Sequence, residues 1–178
     1  MANSMTKPKK GLIMKIEKHL LSILVDNEPG VLSRIAGLFS GRGYNIESLS
    51  VAQTAENHQL SRVTMVTNGD EHIIEQIKKQ LHKLINVITV SDLTEKKYVQ
   101  RELILIKVHA RPELRAEILR IVDIFRCRVV DVGPEHYTIE MSGDEGKLEA
   151  FIDLLKPMGI IETARTGSIA LGREKKKL

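Results

Sequence analysis

Residues 19–48 change hydrophobic period in mid-course, and no other feature constrains the fold as tightly. Leu21, Ile23 and Val25 alternate with Ser22 and Leu24 at the spacing of a strand, whereas Leu32, Ile35 and Phe39 recur at the spacing of a helix. The switch falls on Asp26-Asn27-Glu28-Pro29-Gly30. Pro29 suits the first turn of a helix, where its missing N–H costs nothing, and Gly30 carries no side chain to block approach to the amides that follow. Unpaired N–H groups and the positive end of a helix dipole converge at such a turn, which favours a carboxylate or phosphate. Asp26 and Asn27 stand beside it as acceptors for an ammonium group, so the place suits a zwitterion.

Leu60-Ser61-Arg62-Val63-Thr64-Met65-Val66 reads as a further strand, with residues 53–59 as its hairpin connection. Ile73, Ile77, Leu81 and Leu84 form the apolar stripe of a second helix, while Lys78, Lys79 and Lys83 face away. Asn86 marks its exit into Val87-Ile88-Thr89-Val90-Ser91. The order strand, helix, strand, strand, helix, strand, with right-handed crossovers, places both helices on one face of a four-stranded sheet. This is the α+β, ferredoxin-like βαββαβ architecture. After the polar residues 92–100 the order restarts, offset by roughly 83 positions, so the chain reads as a tandem repeat. Its second copy comprises the strand 103–108, a helix through Leu114, Ile118, Ile121 and Phe125, a hairpin around Gly133-Pro134, a helix through Leu148, Phe151 and Leu155, and a strand from Ile160.

The predicted division is a basic extension over 1–17, a sensing domain over 18–93, a linker over 94–100, a second domain over 101–172 and a basic tail over 173–178. The second copy replaces the polar turn by His109-Ala110-Arg111-Pro112-Glu113-Leu114, with bulky Arg111 where an anion seat needs small residues. The first copy is therefore expected to bind ligand and the second to pack, dock or transmit. Leu20 and Leu24 leave the first strand apolar on both faces, and edge strands need covering, so a homodimer or larger assembly is expected.

Composition removes several function classes. The net charge of +4 is concentrated at the ends, in Lys7, Lys9, Lys10 and Lys15 and in Arg173, Lys175, Lys176 and Lys177. No aromatic residues interleave with them, so they read as solvated tails and not as a nucleic-acid surface. No helix-turn-helix is left over from the repeats, and the central strands lack the aromatics of an RNA-reading sheet. No apolar run approaches the ~18 residues of a membrane span, and the basic start leads into no secretory signal. A single cysteine, Cys127, excludes an internal disulfide and fits a cytoplasmic setting. The histidines show no metal-ligand spacing, and Gly41-Arg42-Gly43 lacks the remainder of a dinucleotide or phosphate loop. Asp26, Glu28 and Glu47 read as turn and cap residues in preference to an acid/base set. No metal site or catalytic residue is expected.

Asp26-Asn27-Glu28-Pro29-Gly30-Val31-Leu32, followed by Gly43-Tyr44-Asn45-Ile46-Glu47-Ser48-Leu49, resembles the start of an ACT domain, the small amino-acid-sensing module. Together with Gly37-Leu38-Phe39-Ser40, Leu60-Ser61-Arg62 and Lys79-Gln80-Leu81-His82-Lys83-Leu84, the pattern resembles the small regulatory subunit of acetolactate synthase. The resemblance runs from about His19 to about Arg173. It implies a non-catalytic chain that activates a large catalytic subunit and confers feedback inhibition by L-valine in branched-chain amino-acid synthesis. Thiamine diphosphate, Mg and FAD would then belong to that catalytic subunit, with no cofactor in this chain. It also implies a ligand site built from Asp26, Asn27, Glu28, Pro29, Gly30, Val31, Leu32 and Ser33 of one copy and Asn45 and Ile46 of another. Burying a valine-sized group is worth about 1.5–3 kcal/mol, enough to reject glycine and too little to separate valine sharply from leucine or isoleucine. The alternative is a stand-alone ACT-type regulator of another enzyme or of transcription.

Overall fold

In a computed structural model that describes residues 16–173, the chain forms two βαββαβ units. The expected tail lies outside the described residues except for Arg173, and so does the extension except for Ile16 and Glu17. The first unit comprises β1 (Glu17–Asp26), α1 (Val31–Ser40), β2 (Ser48–Gln53), β3 (Leu60–Gly69), α2 (Glu71–Leu81) and β4 (Val87–Asp92). Its sheet has the order β2-β3-β1-β4, with antiparallel neighbours throughout. The second comprises β5 (Tyr98–His109), α3 (Arg115–Phe125), β6 (Arg128–Val132), β7 (His136–Gly143), α4 (Glu145–Leu155), a 3₁₀ turn (Lys156–Met158) and β8 (Ile160–Arg165). It repeats the order as β6-β7-β5-β8, and a further strand, β9 (Ile169–Gly172), pairs with the start of β5.

Each sheet buries one face beneath its two helices, as the alternation requires. Leu21, Ile23 and Val25 of β1 meet Ile35 and Phe39 of α1 and Ile77 and Leu81 of α2 in the first core. Ile104, Ile106 and Val108 meet Ile118, Ile121, Leu148 and Phe151 in the second. The helices α2 and α4 begin alike, with the Asp70 and Asp144 carboxylates accepting from the amides of Ile73 and Lys147.

Two differences from the sequence reading concern the junction. Residues 98–100, placed in the linker, belong to β5, and β9 was not foreseen at all. Both follow from one pairing: Tyr98 lies opposite Gly172 and Gln100 opposite Ala170. The resulting ribbon sets Tyr98 and Ala170 against Leu20, Val66 and Leu93 on the outer face of the first sheet. Part of the apolar outer face expected to await a second copy is thus covered by the chain's own end.

Candidate functional site

The turn leading into α1 is shaped for exposed amides. Gly30 caps the helix at φ 85°, a left-handed conformation that costs an L-residue about 1–2 kcal/mol, and a Cβ there would meet nothing within 4 Å. Glycine is therefore demanded by the backbone angle and not by crowding. Pro29 lies in the turn before the helix and not in its first turn, because α1 begins at Val31. The amide of Val31 donates to the Glu28 carbonyl at 3.4 Å, and that of Arg34 to the Gly30 carbonyl at 3.0 Å. Among the described residues, the amides of Leu32 and Ser33 find no acceptor, and no side chain caps α1, in contrast to α2 and α4. Two free donors and the helix dipole therefore meet at an exposed spot, which suits a carboxylate.

The polar residues around this spot hold one another in place. Asn86, only 7% exposed, accepts from the Arg34 guanidinium and donates through Nδ2 to Glu28 Oε2 at 3.0 Å and to Asp26 Oδ2 at 3.4 Å. The Asp26 amide donates to the Asn86 carbonyl at 2.9 Å. The sequence marks Asn86 only as a helix exit and gives Arg34 no role. Their partnership joins the first turn of α1 to the connection between α2 and β4, 52 residues away, and nothing local announces it. Asn27 is anchored too: its amide donates to the Gln59 carbonyl at 2.7 Å and its Nδ2 to the His58 carbonyl at 3.2 Å. The Ser61 hydroxyl donates to Asn27 Oδ1 at 3.1 Å. That oxygen retains a second lone pair, so the carboxamide can still accept from an ammonium.

Asn45 and Ile46 lie elsewhere. Leu60, at the start of β3, lies opposite Asp26, whereas Val66 lies opposite both Leu20 of β1 and Ser48 of β2. The six-residue step from Leu20 to Asp26 along β1 spans about 20 Å at a strand's rise. Residues 26–33 and 45–46 therefore sit at opposite ends of the first sheet. The Asn45 carbonyl accepts from the Thr67 hydroxyl at 2.6 Å, and Ile46 packs against the first core. A single chain does not bring the ten candidate residues together.

The equivalent turn of the second unit is closed by its own chain, though not by the residue expected. Arg111 is exposed; it is Arg115 that folds back, donating through Nε to the Ala110 carbonyl at 2.9 Å and through its terminal nitrogen to the Pro134 carbonyl. Among the described residues, no three His, Cys, Asp or Glu side chains converge to hold a metal ion, and no helix is long and apolar enough to cross a membrane.

Comparison with known proteins follows the same division. A family model for the AHAS small subunit-like ACT domain matches residues 21–89, and one for the small subunit of acetolactate synthase matches residues 101–174. The chain is 54% identical over 160 residues to the probable acetolactate synthase small subunit of Archaeoglobus fulgidus, covering 90% of this chain and 99% of that one. It is 48% identical over 157 residues to the small subunit of acetolactate synthase isozyme 3 of Escherichia coli, covering 88% and 96%. The crystal structure of the acetolactate synthase small subunit from Thermotoga maritima superposes with a TM-score of 0.81 at 42% identity, over 89% of this chain and 99% of that one.

Proposed function

The chain belongs to the family of acetolactate synthase small subunits, regulatory subunits that imply a catalytic partner, and from that premise we propose that it activates the catalytic subunit and inhibits it when L-valine is bound. The uncapped start of α1 is the observation that carries this reading. The amides of Leu32 and Ser33, without acceptors among the described residues, take the amino-acid carboxylate, and Gly30 keeps the approach open. Asn27 Oδ1 contributes to the ammonium site, and an apolar pocket takes the isopropyl group.

Because residues 26–33 and 45–46 lie at opposite ends of one sheet, a complete site calls for two chains placed side by side, each lending its Asn45 and Ile46 to the other's α1 turn. The exposed edge strand β2, with Val51 42% exposed, is the surface that such pairing would cover. A homodimer or larger assembly is thus part of the proposal. Thiamine diphosphate, Mg and FAD are assigned to the catalytic subunit.

Thermal unfolding of the purified chain against L-valine, glycine and D-valine tests the site. A ligand at 100 times its dissociation constant adds about 2.7 kcal/mol of stability. A rise in Tm with L-valine alone is the expected result. No rise with any branched-chain amino acid, in the free chain and in the complex with the catalytic subunit, would refute the sensor reading.

A further inference from the structure

Between the two units lies a polar cleft of about 380 Å³ whose contacts fall on the residues just after Asn45 and Ile46. Lys18 Nζ lies 3.1 Å from Glu47 Oε2 in its own unit and 2.5 Å from Glu145 Oε1 at the start of α4 in the other. The amide of Ser168 donates to the Ser48 hydroxyl at 3.1 Å. Gly167, at φ 74°, lies so close that a Cβ would approach Ser48 Oγ to 2.7 Å.

Behind these contacts both sides are braced. In the second unit, Arg165 donates twice to Glu102, at 2.6 and 3.0 Å, and Glu102 is 6% exposed. The Thr166 amide donates to the Leu103 carbonyl at 3.1 Å, and Gln100 Nε2 donates to the Ser168 hydroxyl at 2.7 Å. In the first unit, Thr67 holds the Asn45 carbonyl, and the Glu47 amide donates to the Val66 carbonyl at 2.9 Å. Ser48 follows Ile46 by two residues, about 7 Å of extended chain. A displacement of residues 45–46 therefore reaches the loop 166–168 with little slack to absorb it.

We infer that residues 45–48 are a relay: occupancy of the amino-acid site at Asn45 and Ile46 resets the joint formed by Lys18, Glu47, Ser48, Glu145, Gly167 and Ser168, and so the placement of the second unit. The inference rests on the amino-acid-sensor reading above and adds how occupancy leaves the first unit. Braced contacts run without a gap from Asn45 to Ser168, and the amino-acid site and the joint are far enough apart to be read separately.

Hydrogen exchange of the intact chain, with and without saturating L-valine, separates the two readings. The relay predicts that valine changes exchange both at residues 31–34 and at residues 167–171. In Lys18→Met, and in Ser48→Ala should the first variant fold poorly, the change at 31–34 is retained while that at 167–171 is lost. In the complex with the catalytic subunit the same variants are expected to lose most of the inhibition reached at saturating valine, with valine affinity for the small subunit within about threefold of wild type. Protection at 31–34 with no change at 167–171 in the wild-type chain overturns the relay and leaves the sensor standing. An undiminished change at 167–171 in both variants overturns the assigned joint. No protection at 31–34 overturns the sensor and the relay together.

Discussion

Replacing Gly30 by Asp tests the proposed anion seat most directly. A Cβ at this position meets nothing within 4 Å, so the substitution creates no clash. At φ 85° it brings a backbone strain of about 1–2 kcal/mol, at the lower end for Asp, which tolerates the left-handed region. A carboxylate at the start of an uncapped helix gains about 0.3–1 kcal/mol from the dipole, so the net change in folding stability is expected within ~1 kcal/mol. Ligand binding should respond far more. Two carboxylates held about 4 Å apart repel by about 4 kcal/mol near a protein surface, and the new side chain competes for the same two amides. Valine affinity is therefore expected to fall by a factor of about 100 or more, equivalent to ~2.7 kcal/mol. Gly30→Asn supplies the control, since Asn accepts the same backbone and nearly the same volume without the charge; it is expected to lose about tenfold or less. Calorimetry on the free chain, thermal unfolding, and valine titration of the complex with the catalytic subunit read the three quantities. Gly30→Asp binding valine within about threefold of wild type, or Gly30→Asn losing as much as Gly30→Asp, would refute the electrostatic argument.

Three further outcomes follow from the hydrogen-bond geometry. Asn86→Ala removes the acceptor of Arg34 and the donor to Glu28 and Asp26, and is expected to cost about 1–3 kcal/mol in denaturant unfolding and to weaken valine binding by loosening the α1 turn. Arg165→Met leaves the Glu102 carboxylate buried without its partner; a loss of about 2–4 kcal/mol is expected, below that of a fully buried pair because the Arg165 side chain is 40% exposed. Burial pushes the Asp92 carboxyl upward, but hydrogen bonds from the Thr94 side chain and amide and from His19 outweigh it and hold the group below its ordinary value. Asp92 therefore contributes stability that is present above the ordinary carboxylate range and lost as pH falls through the depressed value, so the stability gap between wild type and Asp92→Asn should shrink between pH 7 and about pH 3.

The agreement between reading and structure is closest where the determining forces are local. Leu21, Ile23 and Val25 alternate, Ile73, Ile77 and Leu81 recur, and each pattern has one periodic element that buries it. The glycine turn before α1 is legible in the sequence, although Gly30 answers a backbone angle and Pro29 falls two residues before the helix it is expected to begin.

The relations that failed to show in the sequence all join residues remote along the chain. The sequence assigns no strand to Ile169-Ala170-Leu171 within the second domain, because they acquire that role only by pairing with residues 98–101. Asn86 reads as a helix exit and Arg34 carries no assigned role until the first turn of α1 meets the connection before β4. In the second unit, Arg115 and not Arg111 closed the turn, since which of two nearby arginines folds back depends on the carbonyls of Ala110 and Pro134 that it reaches.

By itself, then, the sequence determined the two βαββαβ repeats, their buried faces and the glycine turn at residue 30, because periodicity and backbone angle act within a few residues. Only the tertiary structure decided that β9 covers part of the first sheet, that Lys18 bridges Glu47 and Glu145, and that Asn45 stands at the far end of the sheet from Gly30. Those facts depend on strand register and on the packing of one unit against the other, which the order of residues constrains only once the chain has folded.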